Sequence, residues 1–294
     1  MPSASEPATV AEAAAVVRAA AAAGQTVSID RAGGDVVIST RRLDRVLEHE
    51  AGDLTCTVEA GVRLRDLNER LAEHRQMLAL DPPGNPTIGA CIAADLSGPR
   101  RHRYRRPADL LLGVTVVLGD GLVASSGGKV VKNVAGYDLG KLLCGSRGRL
   151  GLIVRASFRL HPRPAASRTL VVPVDDELEA LRLLGTLARS QLAPSAVDLL
   201  WPGKLCALFE GAGRAVDAQL GRARGLLGGE EGDPWDGVLA FQASCGGRVR
   251  FGRLEAPMLV RGPEAYVPEA PAAAEWSPLA ERVRAEFDPA GVLV

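Results

Sequence analysis

Residues 127–151 carry glycine at Gly127, Gly128, Gly136, Gly140, Gly145, Gly148 and Gly151, interleaved with Val, Leu, Tyr and paired lysines. Glycine loses more backbone entropy on folding than any other residue. Such density therefore points to backbone conformations or close approaches that a Cβ would forbid. Two familiar nucleotide motifs are excluded. A P-loop needs GxxxxGK followed by Ser or Thr, but Gly128-Lys129 is followed by Val130, and Val123 stands where the first glycine is required. A dinucleotide fingerprint needs GxGxxG, whereas Gly145, Gly148 and Gly151 are spaced GxxGxxG.

The chain of 294 residues is long enough for two domains, each with its own core. Thirty-five basic residues balance 35 acidic ones, so net charge directs the chain to neither nucleic acid nor an anionic membrane surface. Aromatic residues, at 4%, are too few for a base-stacking surface. Cys56, Cys91, Cys144, Cys206 and Cys245 form no CxxC pair, so no zinc or iron–sulfur site is encoded locally, and they read as reduced, buried thiols. No apolar run approaches the ~20 residues of a membrane span. The first residues lack the pattern of a signal peptide. The expectation is a cytoplasmic protein with no metal site.

Thr9-Val10-Ala11-Glu12 is a capping-box pattern that starts an Ala-rich helix ending near Ala23. Short strands are expected at Thr26–Ile29 and Val36–Ser39, separated by Arg31-Ala32-Gly33-Gly34-Asp35. Leu54, Cys56, Val58 and Ala60 alternate as in a strand, and Leu64, Leu67 and Leu71 recur at helical spacing. Val114–Leu118 and Leu122–Ser125 flank a Gly119-Asp120-Gly121 turn and read as a hairpin. Another strand runs from Leu152 to Leu160, and His161-Pro162-Arg163-Pro164 reads as a linker. Beyond it come a strand at Thr169–Val172, a helix at Asp176–Arg189, strands near Val197–Leu200 and Leu205–Glu210, and a helix at Arg214–Leu227. That succession suggests a ferredoxin-like α+β sandwich. Residues 228–278 are Gly/Pro-rich and unassigned, and a last helix is expected at Leu279–Phe287.

The loops suit an extended anionic ligand. In Asp81-Pro82-Pro83-Gly84-Asn85-Pro86-Thr87-Ile88-Gly89-Ala90, prolines fix the backbone, and free amides around Thr87–Ala90 with the Thr87 hydroxyl are expected to donate to a diphosphate. Together with Lys129-Val130-Val131-Lys132-Asn133-Val134-Ala135-Gly136-Tyr137-Asp138 and Ser97-Gly98-Pro99-Arg100-Arg101, this loop resembles the FAD-linked oxidases with a PCMH-type FAD-binding domain. The KNVAGYD string is similar to that of the FAD-binding subunits of glycolate oxidase. The resemblance runs from about Pro7 to Pro164 and resumes at Phe287-Asp288-Pro289-Ala290-Gly291-Val292-Leu293. It implies a PCMH-type α+β fold of two subdomains over residues 1–165, followed by a small cap-like α+β domain over 166–294. It further implies flavin contacts from Gly33, Gly34, Pro86, Thr87, Ile88, Gly89, Ala90, Ser97, Gly98, Tyr104, Asp109, Gly148, Gly151 and Ile153. Lys132, Asn133 and Tyr137 are its candidates for substrate or partner contact.

Departures from the family pattern fall on the same loops. Arg31-Ala32-Gly33-Gly34-Asp35 replaces an RGGG loop followed by Thr or Ser; Ala90 replaces the second glycine of TIGG, and Asp95 an asparagine. Tyr104 lacks its following glycine, Ala108 stands where arginine precedes Asp109, and Arg147 and Arg149 interrupt GSLGTLG. Asp35 and Asp95 are expected to bring carboxylates near a diphosphate; each such contact at ~4 Å costs about 1 kcal/mol in water and about 4 kcal/mol at the effective dielectric of a protein surface. Arg100, Arg101, Arg103, Arg105 and Arg106 either offset that charge or form a solvated basic loop.

No catalytic residue is identified. Of the four histidines, His49 and His74 read as positions on polar helical faces, His161 lies in the linker, and His102 stands in the arginine loop. The family's covalent-flavin histidine has no counterpart near Arg31–Asp35, which implies non-covalent FAD. The resemblance implies a FAD-binding subunit of a heteromeric 2-hydroxy-acid oxidoreductase of glycolate type. A larger flavoprotein subunit and an iron–sulfur subunit would be its partners and could attach it peripherally to an inner membrane. The alternatives are a degenerate flavin fold with an assembly role and no FAD, and a free-standing FAD enzyme for another hydroxy acid or alcohol.

Overall fold

Thr9 begins the first helix as its sequence requires: its hydroxyl oxygen accepts from the Glu12 amide at 3.1 Å, and the Glu12 carboxylate accepts from the Ala8 amide at 2.8 Å. The structure, a computed structural model, describes residues 3–128, 139–255, 257–269 and 277–294. Strand β1 (Ser3–Ser5), helix α1 (Val10–Ala22), β2 (Val27–Ile29) and β3 (Val36–Ile38) form a small parallel sheet, in the order β1-β3-β2, under a helix. Ala13, Val17 and Ala20 pack there with Val27, Val36 and Ile38.

The chain continues through β4 (Val46–Glu50), β5 (Thr55–Glu59), α2 (Leu64–Ala72), β6 (Gln76–Met77) and α3 (Ile88–Ala93). Two single-turn helices follow, α4 (Arg101–Tyr104) and α5 (Pro107–Leu110). Next come β7 (Leu111–Val117), β8 (Val123–Gly127), α6 (Gly140–Leu143), β9 (Leu152–Arg159) and β10 (His161–Pro162). An antiparallel sheet in the order β4-β5-β9-β7-β8 is the floor of this subdomain. Leu64, Leu67 and Leu71 of α2 and Ile88 and Ile92 of α3 are buried with Val58, Ala156 and Phe158 of the sheet.

Two local expectations are corrected. His161-Pro162 is not a free linker; it pairs with β6, and the Arg163 amide donates to the Arg75 carbonyl at 2.7 Å. His49 and His74 are not on helical faces. His49 lies in β4, where its Nε2 meets Gln76 Oε1 at 2.9 Å, and its ring packs edge-on against that of His74, in the turn after α2, at 4.9 Å. Residues 46–50 form an edge strand that pairs with β5.

The second unit starts with β11 (Ala166–Val174), α7 (Glu177–Arg189), β12 (Ala196–Trp201), β13 (Gly203–Gly211), α8 (Gly213–Leu227) and β14 (Glu230–Glu231). Its antiparallel order β14-β11-β13-β12 is that of the expected ferredoxin-like sandwich. Besides β14, the unassigned region supplies α9 (Trp235–Ser244) and three strands, β15 (Gly247–Arg250), β16 (Met258–Arg261) and β17 (Glu264–Val267), which widen the sheet beyond β12. Helix α10 (Pro278–Phe287) then leads the chain back to the first subdomain. There the Asp288 carboxylate accepts from the amides of Val292 at 2.9 Å and Leu293 at 2.7 Å. Val292 and Leu293 are buried beside α1, and Leu293 pairs in parallel with Val27 of β2.

The arginine loop is engaged in part, with Arg103, Arg105 and Arg106 exposed and Arg100 and Arg101 half-buried. Arg100 grips Glu210 at 2.7 Å and lies 3.8 Å from Asp81, and Arg101 meets Glu264 at 2.8 Å. Arg106 and Arg248 both stand 3.3 Å from one oxygen of Asp95. Gln242 donates to the Ser97 carbonyl at 2.9 Å. A band of charge thus fastens the ferredoxin-like unit to the loops that follow α3.

Candidate cofactor site

The loop after β2, the helix α3 and the loop before β9 enclose a cavity of about 300 Å³. Ile29, Asp30, Arg31 and Thr40 line one side, Gly89, Ala90, Ala93 and Ala94 the second, and Arg147, Gly148, Gly151 and Ile153 the third. The small residues keep the floor wide. Gly148 sits at φ +81°, and a Cβ there would stand 3.0 Å from Ile29 Cδ1 on the opposite wall, so glycine holds the two loops at this spacing.

The polar part of the lining is mainly cationic. Arg31 and Arg147 are exposed, and among the described residues neither guanidinium has a carboxylate partner. The amides of Arg31, Ala32 and Gly33 likewise donate to no acceptor among the described residues. Asp30 is held away from ligand work, since its carboxylate accepts from the Thr40 amide at 3.0 Å and the Thr40 hydroxyl at 2.6 Å.

Gly89, Ala90, Gly148, Gly151 and Ile153 of the anticipated residues are thus brought together in one cavity. Others lie outside its lining. Gly33 and Gly34 belong to the adjoining loop, where the Gly34 amide donates to Ser28 Oγ at 3.2 Å. Ile88 is a core residue, the Pro86 carbonyl accepts from the Leu64 amide at 3.0 Å, and the Thr87 hydroxyl caps α3 by accepting from the Ala90 amide at 3.2 Å. Gly98 abuts the Asp81 backbone, and the Ser97 hydroxyl accepts from Arg101 at 3.3 Å. The Tyr104 ring packs 4.8 Å from that of His161, and Asp109 accepts from the Arg106 amide at 3.1 Å, capping α5. Lys132, Asn133 and Tyr137 lie outside the described residues.

Three electrostatic expectations change. The free amides expected around Thr87–Ala90 are engaged: those of Ile88 and Gly89 donate to the carbonyls of Val62 at 2.9 Å and Ala60 at 2.7 Å. Asp35 is absent from the lining; its carboxylate accepts from the amide and hydroxyl of Thr26, both at 2.8 Å, and these bonds hold its pKa below the ordinary carboxylate value. Asp95 is buried between Arg106 and Arg248, the second of which also lies 3.4 Å from Glu264, so its carboxylate is paired before any ligand arrives. Asp35 thus stays outside the lining, and Asp95 is paired with one cation 11 residues away and another 153 residues away.

The sequence reading missed Ile29, Thr40, Ala93 and Ala94, which carry no chemical signal. It treated Arg147 as an interruption, although a cation inside a glycine-rich loop was the visible clue.

Residues 4–127 match the family model described as an FAD binding domain. Over these residues the chain is similar to that family. FAD is the cofactor that the family description names, and the PCMH-type fold expected from the motifs is the fold found. The chain is 35% identical over 191 residues to the glycolate oxidase subunit GlcE of Escherichia coli, covering 63% of this chain and 52% of that protein. It is 32% identical over 177 residues to D-lactate dehydrogenase [cytochrome] 1, mitochondrial, of Saccharomyces cerevisiae, covering 60% of this chain and 29% of that protein. Against the glycolate oxidase subunit GlcD of Bacillus subtilis the identity is 30%, over 57% of this chain and 36% of the other. The chain thus spans about half, or less, of the length of these relatives. A structure of alkyldihydroxyacetonephosphate synthase shares the fold with a TM-score of 0.65 and 18% identity, covering 76% of this chain and 50% of the other.

The cavity fits part of this cofactor. Its volume is at the low end for ligand sites, its glycine and alanine floor leaves room for a large ligand, and its charge suits an anion. No helix among the described residues is long and apolar enough to cross a membrane.

Proposed function

We propose that this chain is the FAD-binding subunit of a heteromeric 2-hydroxy-acid oxidoreductase of glycolate type. The observation that carries the reading is the joining of the loop after β2, helix α3 and the loop before β9 around one cavity with unpaired cations and small, apolar walls. The relatives named as glycolate oxidase subunits and D-lactate dehydrogenase support the substrate class. We take residues 1–165 as the cofactor unit and 166–294 as the cap-like unit, whose closing residues pack back on the first.

When bound, FAD supplies the two-electron acceptor for oxidation of the hydroxyl-bearing carbon. Gly89, Ala90, Gly148 and Gly151 would admit it closely, while Ile29 and Ile153 exclude water from its apolar portion. The chemistry also needs a base for the hydroxyl proton and a cation for the substrate carboxylate. None of the four histidines lines the cavity, and its one lining carboxylate is bound by Thr40. That deficit favours an assembly in which another subunit completes the reaction site, with Lys132, Asn133 and Tyr137 as the proposed contacts on this chain. Attachment to a membrane, on this reading, comes through partners.

The test is to purify the chain, supply FAD, remove the excess and record the visible spectrum. A retained flavin band released by acid supports a non-covalent flavoprotein subunit. A folded protein with no band, alone or co-purified with its partners, leaves the assembly role as the better account.

A further inference from the structure

We propose that Arg31 and Arg147 form a two-guanidinium clamp for the diphosphate of the dinucleotide, replacing the α3 amides that the loop pattern suggested. The proposal rests on the FAD reading and assigns its anionic subsite.

Four observations converge. The amides at the start of α3 are consumed by Val62, Ala60 and Thr87, and α3 spans six residues, too short to carry an N-terminal anion site. Among the neighbouring cations, Arg100, Arg101 and Arg248 are committed to Glu210, Glu264 and Asp95 across the seam between the units, and Arg106 to Asp95 within the first. Arg31 and Arg147 line the cavity from two of its walls, and among the described residues neither side chain has an acid partner. The amides of Arg31, Ala32 and Gly33 add unused donors beside one of them.

Charge and geometry agree. A diphosphate diester carries two negative charges at neutral pH, matched by two guanidiniums, whose forked donors suit phosphate oxygens. Arg147 is also held at φ +55°, in the left-handed region, between Gly145 at +86° and Gly148 at +81°. That backbone favours glycine, and the arginine side chain makes no ion pair within the described protein to compensate for the conformation. Contact with a ligand supplies the missing compensation.

The test uses the full chain with Arg31→Ala, Arg147→Gly and the double variant. Fluorescence titration measures dissociation constants for FAD, ADP and riboflavin, with melting temperature as the check on folding. Glycine relaxes the backbone at 147, so that variant is expected to melt no lower than the parent. Loss of one charge-assisted contact should weaken FAD and ADP each by about 10-fold per substitution and about 100-fold in the double variant. Riboflavin, which lacks phosphate, should bind within about twofold of the parent. Variants that hold FAD and ADP as tightly as the parent, or that lose riboflavin in equal measure, overturn the clamp alone. A parent chain that folds yet binds neither FAD nor ADP overturns the FAD reading and the clamp with it.

Discussion

Replacing Arg261 with methionine gives a stability test whose size can be worked from the structure. Arg261, in β16, and Asp198, in the neighbouring β12, are 3% and 0% exposed, and the guanidinium donates to both carboxylate oxygens at 2.8 and 2.6 Å. The attraction of such a pair is largely cancelled by the cost of dehydrating both charges. Removing one partner is different, because the remaining charge stays buried and uncompensated, at a cost of about 3–5 kcal/mol. Arg261→Met also removes the bond from Nη1 to Gln242 Oε1 at 2.8 Å and the cation 5.2 Å from the Tyr266 ring centre. The expected loss is about 4 kcal/mol, roughly a thousandfold in the unfolding equilibrium. Because the same Gln242 holds the Ser97 carbonyl, the change reaches the loop that follows α3. Urea denaturation followed by the fluorescence of Trp201 and Trp235, both in this unit, measures it. The double variant Asp198→Leu with Arg261→Met should recover most of the loss, ending within about 2 kcal/mol of the parent. A single variant within about 1 kcal/mol of the parent, or a double variant no better than the single, would refute the reasoning.

Asp81 has its carboxyl pushed up to about 6, from an ordinary 3.8, by burial, which outweighs the pull of Arg100. A raised carboxyl favours the protonated folded state, so its contribution is fully present below about pH 4 and lost as pH rises through about 6. Asp81→Asn keeps an oxygen for the Arg100 amide, and the gain in melting temperature over the parent should grow from pH 4 to pH 7; parallel profiles would reject the assignment. Gly98→Ala places a Cβ 1.7 Å from the Asp81 carbonyl oxygen, where backbone cannot yield, so soluble folded yield should collapse. Normal expression with an unchanged melting temperature would contradict it.

Much of the fold was legible because its signals are local. Thr9 and Asp176 cap their helices, Leu64, Leu67 and Leu71 share a buried face, and the succession after residue 165 led to the ferredoxin-like order. Residues 228–267 hid one helix and four strands because glycine and proline there punctuate short pieces whose pairing is set by tertiary contact with β11 and β12. His49 was misplaced for a related reason: five residues are too few to distinguish a strand's period from a helix's. At the site, glycine positions announced Gly89, Gly148 and Gly151. The use of the Ile88 and Gly89 amides depended on carbonyls at Val62 and Ala60, which no motif reveals. The fate of Asp95 depended on Arg248, 153 residues further along.

The return of Val292 and Leu293 to β2 has a consequence for biosynthesis. During translation from the amino terminus, β2 leaves the ribosome some 260 residues before the segment that borders it. Until then Val27 has an exposed edge, and its strand leads directly into Ile29, Asp30 and Arg31 at the cavity. Cofactor capture should therefore follow synthesis of Val292 and Leu293, and a premature stop after β17 should yield a product that retains its ferredoxin-like unit but cannot mature its nucleotide-binding one.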